Sequence, residues 1–278
     1  MAELDGIAAL ASSGDNLLAF VSGGHLVDLR ARYSVLGFVV DLRANTIEIS
    51  LYGEGAVSHL QFEDVTELYS PESGIDFGDR GSYNVEELIR PDTFRATPES
   101  TPPSEPQWFT FETDAGFSVA IKAVRARFGR AAWQRRHIAL AANFLPLAGR
   151  EPGPGWWQSA VSASVGAEAL DHARLDQAEF DFLNRVVRVV VSTRTGVGAV
   201  EFQDVLRWRL LTMGGENMRA VIGSGEHWAD ISDVEVLERR SVDGQVVRSV
   251  SVSTVGNLGV TVDAGVTTTA TLTDAAEM

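Results

Sequence analysis

Five histidines, at positions 25, 59, 137, 172 and 227, are the side chains best suited to proton transfer or metal binding near neutral pH. They are scattered, and none forms HxH, HExxH or a spacing to an acid that would gather ligands on one helix face. Asp171 and His172 are adjacent, but neighbours on a strand point to opposite faces. Gly223-Ser224-Gly225-Glu226-His227 sets a hydroxyl, a carboxylate and an imidazole close together. A catalytic triad is assembled from distant segments, so this run reads as a loop. The serine-nucleophile pattern G-x-S-x-G is absent, as are GxxxxGK[ST] and GxGxxG. Asp76-Phe77-Gly78 spells a kinase metal-binding triplet without the lysine, catalytic loop or glycine loop that give it meaning. With no cysteine in the chain, disulfides, thiolate metal sites and a cysteine nucleophile are excluded. The expectation is no catalytic residue, no metal and no cofactor.

Carboxylates are the abundant reactive type: 38 Asp and Glu stand against 23 Lys and Arg, for a formal net charge of −15. Paired acids serve glycosidases and nucleases, but in a chain this acidic close pairs arise without function. Asp76, Asp79, Glu86 and Glu87 differ in falling within an irregular stretch, where binding residues concentrate. They are the candidate partner-binding residues. Negative charge argues against nucleic acid, whose phosphates need clustered cations, and it would steer a basic protein partner by long-range attraction. Lys122 is the single lysine. Trp108, Trp133, Trp156, Trp157, Trp208 and Trp228 are of a type that anchors interfaces or fills cores. Trp156-Trp157 is the pair best placed to pack one half of the chain on the other.

The elements that would position these residues are mostly strands, and they occur twice. Phe62-Glu63-Asp64-Val65 lies over Phe202-Gln203-Asp204-Val205 at an offset of 140 residues. Upstream, Val39-Val40-Asp41-Leu42 matches Val186-Val187-Arg188-Val189 at an offset of 147, which also brings His25 onto His172 and implies a shorter hairpin in the second copy. Downstream, Phe109–Ala123 lies over Val250–Ala264 at an offset of 141. Apolar residues alternate in both runs, and Asp114-Ala115-Gly116 and Gly256-Asn257 supply hairpin turns. Parity breaks after Phe62, which predicts a bulge or strand end at Asp64, and again at Asp204. Helices are expected over 3–11, after Asp15 as N-cap of Leu17–Val21, at Val85–Ile89 and within Arg127–Leu147. The segment 167–175 suits helix or strand.

The resulting organisation is mainly β with minor α. A first β-rich module spans 1–128, a helix and Gly/Pro linker 129–155, and a second, homologous β-rich module 156–278. The N-terminus is acidic where a signal peptide is basic, and no run approaches the roughly 20 apolar residues of a membrane span. A cytoplasmic protein, with no membrane partner, is expected.

The repeated order of a strand pair, an L-x-F-x-D-V strand, a variable loop and an F-x-F-x-T-D-x-G-F-x-V-x-I hairpin carries a resemblance. On Leu60–Val65 and Phe109–Ile121, with their echoes around Phe202 and Val250, the chain resembles the small β-rich immunity proteins that bacteria keep beside polymorphic toxins. The resemblance implies a cytoplasmic, non-catalytic protein that binds and blocks one toxin, many of which are basic nucleases. Two copies in 278 residues exceed the single-module form. The alternatives are a small-molecule-binding or hydrolytic β-barrel that uses loop carboxylates, and a structural component that assembles through strand edges.

Overall fold

Runs of alternating apolar and polar residues become strands wherever such runs occur in the described chain. The computed structural model describes residues 3–5, 8–9, 17–70, 74–76, 85–89, 106–129, 145–146, 173–192, 196–203, 205–212, 219–223, 227–240, 246–264 and 268–274. The first half supplies β1 (Glu3–Asp5), β2 (Ala8–Ala9), β3 (Ala19–Ser22), β4 (His25–Asp28), the single helical turn α1 (Leu29–Arg32), β5 (Tyr33–Asp41), β6 (Thr46–Gly53) and β7 (Ala56–Glu63). It continues with β8 (Glu67–Tyr69), β9 (Gly74–Asp76), β10 (Val85–Ile89), β11 (Gln107–Thr113), β12 (Ser118–Ala123) and β13 (Arg125–Gly129). The second half supplies β14 (Leu145–Pro146), β15 (Arg174–Asp181), β16 (Val186–Ser192), β17 (Gly196–Phe202) and β18 (Val205–Thr212). It ends with β19 (Ala220–Val221), β20 (Ile231–Arg240), β21 (Val246–Thr254), β22 (Leu258–Ala264) and β23 (Thr268–Asp274).

A ten-stranded sheet runs β1-β13-β7-β6-β5-β15-β16-β17-β23-β14. Two five-stranded sheets, β10-β11-β12-β8-β19 and β20-β21-β22-β18-β9, accompany it, and β2-β3-β4 form a small third element. Outward from the β5–β15 seam the order is the same on both sides: β6, β7, β13 on one, β16, β17, β23 on the other. In the five-stranded sheets β9 and β19 change sides, so each half lends a strand to the sheet of the other: β9 pairs with β18, and β19 with β8.

Local hydrogen bonds recur with this order. Val65 N donates to Asn45 O at 2.9 Å, and Val205 N to Arg185 O at 3.0 Å. Leu42 N donates to Asp176 O, and Phe182 N to Leu36 O, across the seam. Asp41 Oδ1 accepts from Ala44 N at 2.8 Å, and Asp181 Oδ1 from Asn184 N at 2.9 Å. Thr113 Oγ1 and Thr254 Oγ1 each accept, at 3.2 Å, from the amide four residues on. Asn45 and Arg185 both have positive φ, 53° and 55°, and both β5 and β15 bulge, at residues 36 and 176.

The ranges of β5, β6, β7 and β8, moved by 140 residues, fall on β15, β16, β17 and β18.

The inner face of the large sheet packs on the two five-stranded sheets through aromatic rings. Phe62 meets Phe109 with ring centroids 5.2 Å apart, and Phe38 meets Phe117 at 5.1 Å. Trp208 lies where the halves meet: it stacks on Phe180 at 4.1 Å and touches Phe117 at 5.1 Å and Phe182 at 5.5 Å. At the seam Gly37 is required, because a Cβ there would stand 2.7 Å from Phe180 O.

The hairpin at Phe109–Ile121 and the break at Asp64, which has φ 52°, are as expected. The turn of β21–β22 contains three residues, with Asn257 (φ 66°) taking the left-handed position that Gly116 (φ 82°) takes in β11–β12. Expected helices fail in three places. Residues 3–5 and 8–9 are strands, held by β13 and β3; Ala19–Ser22 is a strand turned back by Gly23-Gly24; and Val85–Ile89 pairs with β11. In each case sheet pairing overrides a weak helical propensity. Of the expected linker helix, Arg127–Gly129 and Leu145–Pro146 are strand, and 130–144 lie outside the described residues. Arg174 and Leu175 open β15. Trp156-Trp157, Asp171, His172 and Asp204 also lie outside the described residues. No helix among the described residues is long and apolar enough to cross a membrane.

Candidate functional site

The period of two that buries Phe109, Phe111, Val119, Ile121 and Leu68 turns Trp108, Lys122, Glu67 and Tyr69 onto the outer face of the β11 sheet. Trp108, Lys122, Glu67 and Val221 are successive cross-strand partners on β11, β12, β8 and β19. Lys122 Nζ donates to Glu67 Oε1 at 2.6 Å, and Arg219 donates to Glu67 Oε2 at 3.3 Å. The Arg219 guanidinium lies 4.5 Å from the Trp108 ring centroid and Lys122 Nζ lies 5.8 Å from it. Burial pushes the Glu67 carboxyl up, but the hydrogen bonds and charges of Lys122 and Arg219 outweigh it and hold it below its ordinary value. The anchorage this gives is therefore present above the ordinary Glu range and is lost as pH falls through the lowered value. Val221 is 38% exposed and the Arg219 side chain 52% exposed. The outcome is an accessible tryptophan held in one orientation by a charged frame, with Glu112 and the Glu87 position at the other end of the face.

The corresponding row of the other five-stranded sheet reads Ser249, Asp263, Arg207, Asp76. Serine replaces tryptophan and the charges are reversed. Ser251 and Thr261, one step along, hydrogen-bond to each other at 3.0 Å. The two sheets share a frame but present different chemistry.

The sequence-derived candidates are divided by this arrangement. Asp76 is on β9, the edge of the β21 sheet, with Arg207 as its backbone partner. Glu86 and Glu87 are on β10, the edge of the β11 sheet; Glu87 is the cross-strand partner of Glu112, and Glu86 falls in the register shift. Asp79 lies outside the described residues. The four acids therefore do not share one strand or loop: Glu86 and Glu87 belong with Trp108, and Asp76 does not. Trp108's position was legible, since alternation with Phe109 and Phe111 already assigns it to the opposite face. Arg219 gave no signal, because its neighbours form a strand of two residues.

The outer face of the ten-stranded sheet carries a ladder of ions. Arg188 reaches Glu201 at 2.5 Å and Glu179 at 3.4 Å from the middle of three adjacent strands. Burial raises the Glu201 carboxyl, but hydrogen bonds from Gln203 and Arg188 and the Arg188 charge bring it below its ordinary value. Nearer the other edge, His59 Nδ1 is 2.8 Å from Glu48 Oε1 and 3.4 Å from Ser50 Oγ. Acid and hydroxyl meet the same ring nitrogen, so the imidazole cannot relay a proton from Ser50 while Glu48 holds its far side, and the trio is not a serine-nucleophile triad. Of the GSGEH run, His227 is exposed and bonds Asp230 at 2.6 Å; 224–226 lie outside the described residues. No group of three or more His, Asp or Glu among the described residues could hold a metal ion.

Asp176, the bulged residue of β15, is buried; among the described residues Ser192 Oγ donates to its Oδ1 at 3.0 Å and Arg174 Nε stands 3.7 Å from the same oxygen. Desolvation raises its carboxyl, helped by Asp41 and only partly offset by Ser192, Arg43 and Arg174. The sign follows from the raised value: the folded state favours the protonated acid, an advantage full below the ordinary Asp range and lost as pH rises through the raised value. At neutral pH the ionised group is a cost. Asp176→Asn keeps an acceptor for Ser192 and cannot ionise. It is expected to raise the melting temperature at pH 7, with the gain shrinking as pH is lowered into the ordinary Asp range. Thermal melts of both chains across pH 3–8 check this.

Comparison with protein-family models, with curated proteins and with solved structures finds no match.

Proposed function

We propose that this chain is an internally duplicated, non-catalytic protein-binding module of the immunity type, which acts in the cytoplasm by occupying one basic partner. The β11 sheet supplies the binding face. The observation that carries this is Trp108, set outward between Lys122 and Arg219 where the corresponding position of the other sheet is Ser249. Tryptophan, tyrosine and arginine dominate the energetics of protein interfaces. Pre-ordering Trp108 lowers the entropy lost on docking.

Charge names the partner. In the strand register Glu87 stands opposite Glu112, whose Oε1 accepts from Ser118 Oγ at 2.9 Å. The net charge of −15 would draw in a basic partner. Duplication is supported by the recurrent hydrogen bonds at Asn45 and Arg185, Asp41 and Asp181, Thr113 and Thr254. After duplication one sheet kept the aromatic face and the other became a Ser/Thr surface, so one partner per chain is expected.

Affinity capture of the tagged chain from lysate of its own source, at low and high salt, tests the proposal. One basic protein should be recovered at low salt in near-equal amount and released at high salt. Recovery of an acidic partner, of a salt-insensitive complex, or of nothing would overturn it.

A further inference from the structure

Arg219 reaches Trp108 from the other half of the chain, at the head of a strand of two residues, β19. Two supports hold that strand. On one side Ala220 and Val221 pair with Leu68 and Glu67 of β8, and Ile222 N donates to Thr66 O at 2.8 Å. On the other side Val221 N donates at 3.2 Å to Gly256 O, in the turn of the β21–β22 hairpin. Ala220 and Ile222 are buried, which turns Arg219 and Val221 outward beside Glu67. The turn is itself fixed: Gly256 N donates to Trp228 O at 2.7 Å and Val255 N to Asp230 O at 2.9 Å. Residues 229 and 231 are bound in turn to the start of β15, by Leu175 N donating to Ala229 O at 2.9 Å and Ile231 N to Ala173 O at 2.8 Å.

Glycine at 256 is not a requirement of the turn. The β11–β12 turn is built alike, with Gly116 N donating to Thr113 O as Asn257 N does to Thr254 O, both at 3.0 Å, and it carries Ala115 in the middle. Nor does Gly256 have a positive φ. What excludes a side chain is the close approach of two other backbone segments. A Cβ at 256 would stand 2.7 Å from Trp228 O and 2.9 Å from Val221 O.

We propose that Gly256 is a positioning residue for Trp108: by letting the β21–β22 turn close on β19, it seats the strand that carries Arg219 to the ring. An added side chain must push one backbone away. Trp228 and Ala229 are buried and tied to β15, whereas Val221 is 38% exposed and its bond to Gly256 is the longest at this turn, so β19 yields. Arg219 then leaves its place 4.5 Å from the Trp108 centroid, and the attraction between guanidinium and ring is lost. The first half supplies the tryptophan, and the second supplies the turn and strand that order it. That the ordered ring serves binding rests on the function proposed above; the ordering itself needs no partner.

Fluorine NMR of the full-length chain labelled with fluorotryptophan reads this without a partner. Trp108→Phe and Trp208→Phe identify the two signals that matter. Gly256→Ala and Arg219→Ala should each move the Trp108 signal, to nearly the same position, while that of the core residue Trp208 stays. In the Arg219→Ala background Gly256→Ala should move it no further, a non-additivity that general loosening of the fold does not produce. Gly129→Ala, where a Cβ meets no described atom within 4 Å, should leave it unmoved. Should Gly256→Ala fail to fold, Ile222→Val loosens β19 from its buried side and is expected to move the Trp108 signal in the same direction. A Trp108 signal indifferent to whichever of these two variants folds, or moved equally with and without Arg219, would overturn the proposal. Either result stands whether or not a partner is captured, so it is distinct from failure of the binding function.

Discussion

Truncating Trp208 to alanine is expected to lower the free energy of unfolding by about 3–5 kcal/mol, the range for a fully buried tryptophan. Total stability of a domain is about 5–15 kcal/mol, so the variant should unfold at markedly lower urea. The reason is position. Trp208 is completely buried and meets Phe180 and Phe182 from the large sheet and Phe117 from the other half. Its removal leaves a void bounded by rings fixed on three different elements, which cannot all close on it. Trp208→Phe separates packing from polarity. Among the described residues the buried indole Nε1 has no hydrogen-bond partner, a burden of about 1–3 kcal/mol, and phenylalanine removes it while keeping a ring. That variant should lose less than half of what alanine loses. Urea unfolding followed by circular dichroism measures both. An alanine cost below about 1 kcal/mol would place the join between the halves elsewhere.

Trp108→Ala is expected to weaken binding of the captured partner by at least about 2 kcal/mol, some 30-fold, as loss of a central interface tryptophan does. The free chain should change little, because Trp108 is only partly buried and its cations keep Glu67. Ser249→Ala, at the corresponding place on the other sheet, should bind as the wild type does. Titration calorimetry of the three chains against the recovered partner distinguishes a binding role from a merely structural one. If Trp108→Ala and Ser249→Ala bind alike, the aromatic face is not the interface.

Strand content was legible in this sequence because burial on one face imposes a period of two, as at Phe109, Phe111, Val119 and Ile121. The proposed repeat rests on the same alternation around Phe62 and Phe202. Asn45 and Arg185 both take left-handed φ, and arginine is not a residue type that signals it. The exchange of β9 and β19 could not be read. Strands of two or three residues have no periodicity, and their partners lie far away in sequence, as Arg207 does from Asp76 and Val221 from Glu67. The same limit concealed Arg219, and with it the frame that turns a surface tryptophan into an ordered one. The candidate acids were found by composition alone, which names residues near a surface without saying which of them share it.

The claim that the β11 sheet is the binding face is tested most directly by hydroxyl-radical footprinting of the full-length chain with and without its captured partner. Trp108 and Tyr69 should lose most of their oxidation in the complex, while Tyr52, half exposed on the large sheet, should be oxidised as before. Unchanged oxidation of Trp108, or protection of Tyr52 in its place, would contradict the account.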